Sequence, residues 1–145
     1  MRDMTRDEWW AFASEGTRTG KIGIVRANGS PHVTPIWFVL AETPGGDELV
    51  FTTWHESLKA RVLSREPRLS LLVDDQQPPY SFVQFTAVAT LIDDPEQTLP
   101  WAVKLGARYM GKDQAEPFGK RNAVPGEYLV RAKITKVIAH AEISD

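Results

Sequence analysis

The chain has 145 residues, 42% hydrophobic and 25% charged, with a net charge of −2; this is the make-up of one globular domain over 1–145, and without a basic surplus nucleic acid and anionic membrane surfaces are not expected partners. The absence of cysteine excludes disulfides, thiol catalysis and thiolate metal sites, and makes the cytoplasm the simplest location. No apolar run has the length of a membrane span, and the first eight residues are too polar and acidic for a signal peptide.

Thr5 with Glu8 three residues on reads as a capping box. It opens a helix with Trp9, Phe12 and Ala13 on its apolar face, ending near Gly16, so residues 1–18 form an N-terminal helical segment. Lys21 to Arg26 reads as a strand with Ile22 and Ile24 on one face. Asn28-Gly29 predicts a type I′ hairpin turn, and the return strand runs from His32 to Leu40. Alternation places His32, Thr34, Ile36 and Phe38 on one face, with Val33, Pro35, Trp37 and Val39 on the other. Pro35 predicts a bulge or an unpaired stretch, and the strand reads equally as a ligand wall or as an edge strand.

A turn at Thr43–Asp47 leads into a strand, Leu49–Thr53, and then through Trp54-His55-Glu56 into a helix from Ser57 to Arg65 that Pro67 stops. Ser57 is a suitable N-cap. The helix N-terminus offers unpaired N–H groups and partial positive charge to an anion, Lys59 adds a full charge, and Arg61, Arg65 and Arg68 follow. Two readings of this turn stand side by side: a seat for a cofactor phosphate, and an ordinary capped surface helix.

Leu69–Val73 reads as a buried strand, Pro78-Pro79 as a stiff connection, and Tyr80–Ile92 as a long strand with Tyr80, Phe82, Gln84 and Thr86 on one face. Asp94-Pro95-Glu96-Gln97 starts a helix. Its apolar stripe is expected at Leu99, Ala102, Val103, Gly106 and Met110, and Pro100 is expected to kink it or delay its start. A second short helix spans Ala115 to Lys120. Residues 94–122 thus form a helical insertion before the last strand, Glu127 to about Ala141. About six strands, mostly hairpin-connected, with three helical pieces describe a mainly-β (α+β) barrel rather than a βαβ fold.

No nucleophile elbow, Walker loop or G-x-G-x-x-G is present. His32, His55 and His140 lack metal-ligand spacing, His55 reads as an exposed turn residue, and Asp74-Asp75 and Asp93-Asp94 read as a strand end and a helix cap. No catalytic side chain and no metal site is assigned. A bound cofactor can carry the chemistry instead, with Ser57, Lys59 and Arg61 as its anion anchor. His32, Thr34, Ile36 and Thr52 would then form a slot for its ring, on the expectation that the second and third strands lie side by side.

The segments Gly29–Phe38, Phe51–Arg68, Val73–Asp75, Pro78–Phe82, Ala107–Gly111 and Arg121–Gly126, taken in order and spacing, resemble the split β-barrel flavin-binding proteins related to pyridoxamine 5′-phosphate oxidase. Among these the chain looks most like the branch of coenzyme F420 (deazaflavin)-dependent oxidoreductases. The resemblance implies a six-stranded split barrel with flanking helices that forms a homodimer with cofactor sites at the interface. By position it implies that Ser57, Lys59 and Arg61 meet the phosphate, that His32, Thr34, Pro35, Ile36 and Thr52 line the ring, and that Tyr80, Ser81 and Phe82 complete the site from the second subunit. The implied activity is hydride transfer to an unsaturated small-molecule substrate. The alternatives are an FMN-dependent oxidase or reductase on the same scaffold and a non-catalytic flavin or deazaflavin carrier. Leu58 stands where the FMN oxidases carry an arginine, a bidentate phosphate partner, which weakens the case for FMN, although Arg61 or Arg65 could take its place.

Overall fold

Hydrophobic alternation in the sequence is realised as one antiparallel sheet that curls on itself. A computed structural model describes residues Met1–Asp145. In chain order the elements are β1 (Arg2–Asp3), α1 (Arg6–Ser14), β2 (Gly20–Val25), β3 (Pro31–Ile36), β4 (Val39–Thr43), β5 (Gly46–Trp54), α2 (Leu58–Arg65), β6 (Arg68–Asp75) and β7 (Ser81–Ile92). Then come α3 (Pro95–Met110), a single 3-10 turn (Lys112–Gln114), α4 (Ala115–Asn122) and β8 (Glu127–Ala141). The strands follow the order β3-β2-β6-β7-β8-β5-β4, with β1 added to β8. The two ends of this path, β3 and β4, are consecutive in sequence and joined only by Trp37-Phe38, so the sheet is drawn round into a barrel. Phe38, Phe51 and Phe85 are fully buried with Ile22, Leu71 and Val83 at its centre, and Trp9 of α1 packs edge-on against Phe85 to close one end.

The six expected strands are present, but the second is divided. The run from His32 to Leu40 stops as β3 at Ile36 and restarts as β4 at Val39. The break falls at Trp37-Phe38 and not at Pro35, which stands opposite Lys21 in the ladder. β3 pairs only with β2 and is an edge strand, where a missing proline N–H is tolerated. Backbone groups freed at the break find side-chain partners on α3. Phe38 N–H donates to the Tyr109 hydroxyl at 3.2 Å, and the Arg108 guanidinium donates to Phe38 O at 2.7 Å. Arg108 also donates to Ala13 O at 2.7 Å and Gly16 O at 2.9 Å, tying α3 to the end of α1.

Other expectations change as well. The Asn28-Gly29 turn is not type I′: Gly29 N–H donates to Arg26 O at 2.8 Å and, of these turn residues, Gly29 alone has positive φ, the pattern of a type I turn followed by a glycine bulge. Tyr80 is not the first residue of a strand but takes φ 59° at the end of a turn, and β7 starts at Ser81. The α3 stripe is shifted: Thr98, Ala102, Leu105 and Gly106 are buried, while Leu99 and Met110 are exposed. Helix α3 also runs through Pro100, whose side faces solvent, so water can satisfy the freed Glu96 carbonyl.

Candidate functional site

Helix α2 begins as the sequence suggests. Ser57 Oγ accepts from Ala60 N–H at 3.1 Å and lies 2.7 Å from Thr53 Oγ1, which fixes the cap to the end of β5. The amides of Leu58 and Lys59, in the first turn, have no intrahelical acceptor. Lys59 lines a cavity of about 350 Å³. Ile36 and Trp37 form one wall and Thr52, Thr53 and Trp54 of β5 the floor. Leu105 and Gly106 of α3, Phe118 and Asn122 of α4, and Glu127 of β8 close the other side.

The helical insertion can close in because of two glycines. A Cβ on Gly106 would meet Phe118 Cβ at 2.8 Å, and one on Gly119 would meet Val103 Cγ2 at 2.5 Å. Trp37 stacks on Tyr109 with centroids 5.0 Å apart and planes 6° apart, and it also touches Phe118. Burial holds the Tyr109 phenol above its ordinary pKa, so it remains a neutral donor. Trp54, half exposed at the cavity mouth, packs on His55. His55 is no free turn residue: its Nδ1 donates to Gly126 O at 3.1 Å, and its backbone N–H donates to the same carbonyl at 2.8 Å.

Of the residues singled out from sequence, the cavity brings together Ile36, Thr52 and Lys59, with Ser57 immediately behind as the cap. The strand pairing that achieves this is β4 with β5; β3 and β5 are not neighbours. Thr34 Oγ1 is buried without a hydrogen-bond partner, and Pro35 is exposed on the same strand. His32 lies four residues, roughly 13 Å of strand, from Ile36; its Nδ1 accepts from Arg26 at 2.8 Å. Arg61 is exposed outside the cavity, two residues and more than half a turn from Lys59 on α2. Arg65 is drawn to Val25 O at 3.3 Å, and Arg68 to Glu66. Tyr80, Ser81 and Phe82 line a separate cavity of about 380 Å³ with Leu72 and Ile143.

The ionisable residue missed from sequence is Glu127. It stands opposite Trp54 in the β5–β8 ladder and is half-buried in the cavity wall. Burial pushes its carboxyl above the usual glutamate range, against smaller opposing effects of the Thr52 hydroxyl and the Arg121 charge. Only its place at the start of a strand, just after Pro125-Gly126, was visible beforehand.

Among solved structures, the conserved hypothetical protein Rv2991 of Mycobacterium tuberculosis superposes with a TM-score of 0.82 at 27% identity, covering 97% of this chain and 87% of that one. An F420 reductase superposes with a TM-score of 0.64 at 24% identity, covering 85% of this chain and 90% of its own. HutZ, the heme storage protein of Vibrio cholerae, superposes at 0.67 with 19% identity over 100% of both chains. The latter two likenesses show the fold alone. Comparison with curated proteins gave no match. The family described as pyridoxamine 5′-phosphate oxidase matches residues 7–141, nearly the whole barrel and its helical insertion, and the chain belongs to that family.

Proposed function

We propose that this protein is an oxidoreductase that binds coenzyme F420 and reduces an unsaturated small molecule. The observation that carries the reading is that Lys59, in the first turn of α2 where amides lack intrahelical acceptors, lines the same cavity as Ile36, Trp37 and Thr52. A planar, phosphate-bearing cofactor fits this donor set. Leu58 supplies no guanidinium to the phosphate, which weakens the case for FMN. The F420 reductase among the structural neighbours is consistent with this choice.

Bound here, the reduced deazaflavin supplies a hydride. The chain's own residues hold and orient. Lys59 and the α2 amides fix the phosphate end, Ile36 and Thr52 border the ring, and the α3–α4 pair limits water. The working form is a homodimer. The outer face of β2, β3 and β6 leaves Val33 65% and Leu72 37% exposed around Gly23 and Ser70, a surface suited to a second copy. That copy would bring its own Tyr80–Phe82 turn to the site.

Titration of the protein with F420, FMN and FAD, followed by turnover of reduced F420 with an enone, tests the assignment. Tightest binding of F420 together with enone reduction is expected. Tighter binding of FMN would replace the deazaflavin by a flavin, and binding without hydride transfer would leave a carrier.

A further inference from the structure

We propose that Glu127 donates the proton that completes reduction of the substrate in this cavity, an inference that rests on the hydride-transfer reading above. Glu127 is the only carboxyl group in the cavity wall, and Lys59 the only cation. It sits across the β5–β8 ladder from Trp54, on the strand face that also presents Thr52. Lys59 belongs to the anion seat, and the Thr52 hydroxyl and Asn122 amide are not acids near neutral pH. Glu127 is therefore the one group in the wall able to give up a proton there.

The surroundings shift the carboxyl toward its protonated form. Titratable groups lie around it on three elements: Lys59 on α2, Arg121 on α4, and His55, bonded to the Gly126 carbonyl next in sequence to Glu127, in the turn after β5. His55 Nε2 is 3.5 Å from Glu56, and Asp93 Oδ1 accepts the Gly126 N–H at 3.0 Å beside the start of β8. Helix α3 presents Leu105 and Gly106, neither of which titrates. Burial outweighs the Arg121 charge and the Thr52 hydrogen bond, so the neutral form persists above the ordinary glutamate range.

With an enone as substrate the chemistry balances. A hydride from the reduced deazaflavin forms the carbon–hydrogen bond at the β-carbon, and the alkene π pair moves toward the carbonyl as an enolate. The Oε–H bond of Glu127 breaks, its proton forms the second carbon–hydrogen bond at the α-carbon, and the carboxylate regains a proton from water. The alkene is reduced by two electrons and the deazaflavin is oxidised by two, losing the carbon–hydrogen bond that carried the hydride and releasing a ring N–H proton to water, which replaces the one Glu127 takes up.

Two measurements test this together: a carboxyl-carbon NMR titration of the cofactor-free protein, and single turnover of reduced F420 with cyclohexenone in wild type, Glu127→Gln and Glu127→Asp. Glu127 is expected to titrate above ordinary glutamates. Glu127→Gln is expected to bind F420 as wild type does, yet to react about 100-fold more slowly or worse. It should also lose the fall in rate that wild type shows as pH rises through the Glu127 titration, whereas Glu127→Asp retains that fall. A Gln variant with wild-type rate and pH profile, or a Glu127 that titrates like an exposed glutamate, overturns the assignment. Failure of F420 binding in wild type and Gln variant alike overturns the cofactor reading itself, and the proton-donor role with it; that outcome is told apart because it does not depend on residue 127.

Discussion

Two glutamates in this chain have been moved in opposite directions by their surroundings. Glu127 is held above the usual range by burial, whereas Glu66, partly covered beside an exposed Arg68, is drawn from 4.5 down to about 2 by its hydrogen bonds with the Arg68 side chain and backbone. A carboxyl with a lowered folded-state value adds stability above its unfolded pKa and loses that contribution as pH falls toward the folded one. The Glu66–Arg68 contribution should therefore be complete above about pH 4.5 and fade between there and about pH 2. In Arg68→Ala, NMR titration of Glu66 should return most of the way to 4.5, the backbone N–H bond remaining. Because Arg68 is largely exposed, the same loss of shift should appear in part when salt is added to wild type. A Glu66 titration unmoved by the substitution would show that the backbone bond alone sets it. At this scale the sequence was legible where the interaction is local. Ser57, three residues before the amide it caps, could be read directly, but Glu127 meets the Lys59 cavity only through β5–β8 pairing, which no short-range pattern encodes.

The elements depend on one another most at the Trp37-Phe38 crossing. Leaving the ladder there frees backbone groups that cost free energy if left unpaired, and Arg108 and Tyr109 of α3 satisfy those of Phe38. Arg108 also stacks on the Phe38 ring, 4.8 Å from its centroid. Replacing Arg108 by Ala strands several carbonyls at once and should cost about 3 kcal/mol. Arg108→Lys should recover only part, since an ammonium cannot reproduce the planar fork. Urea denaturation measures both, and a wild-type midpoint for Arg108→Ala would show that the crossing holds without α3. Helix and strand identities were largely readable because caps and alternation are local signals. The position of the strand break was not, since its partners lie about seventy residues away on α3. The α3 stripe was misplaced because burial there is set by the close approach of α3 and α4, Gly106 against Phe118 and Ala115 and Gly119 against Val103, and not by the largest apolar side chains.

For the whole molecule, the barrel class followed from strand count and hairpin connections. The closing of the sheet through two consecutive strands required the pairing itself. The exposed Val33 and Leu72 face predicts a dimer. Sedimentation at micromolar concentration should give twice the 16.3 kDa chain mass, and a monomer would contradict a shared site. The central claim, that α2 seats the phosphate of F420 beside the Ile36–Thr52 cavity, is tested most directly by titrating F420 into wild type and Lys59→Ala. Loss of a charge-assisted contact of about 1.5–3 kcal/mol predicts an affinity lower by about tenfold or more in a variant that melts like wild type. Equal affinity in the two proteins would contradict it.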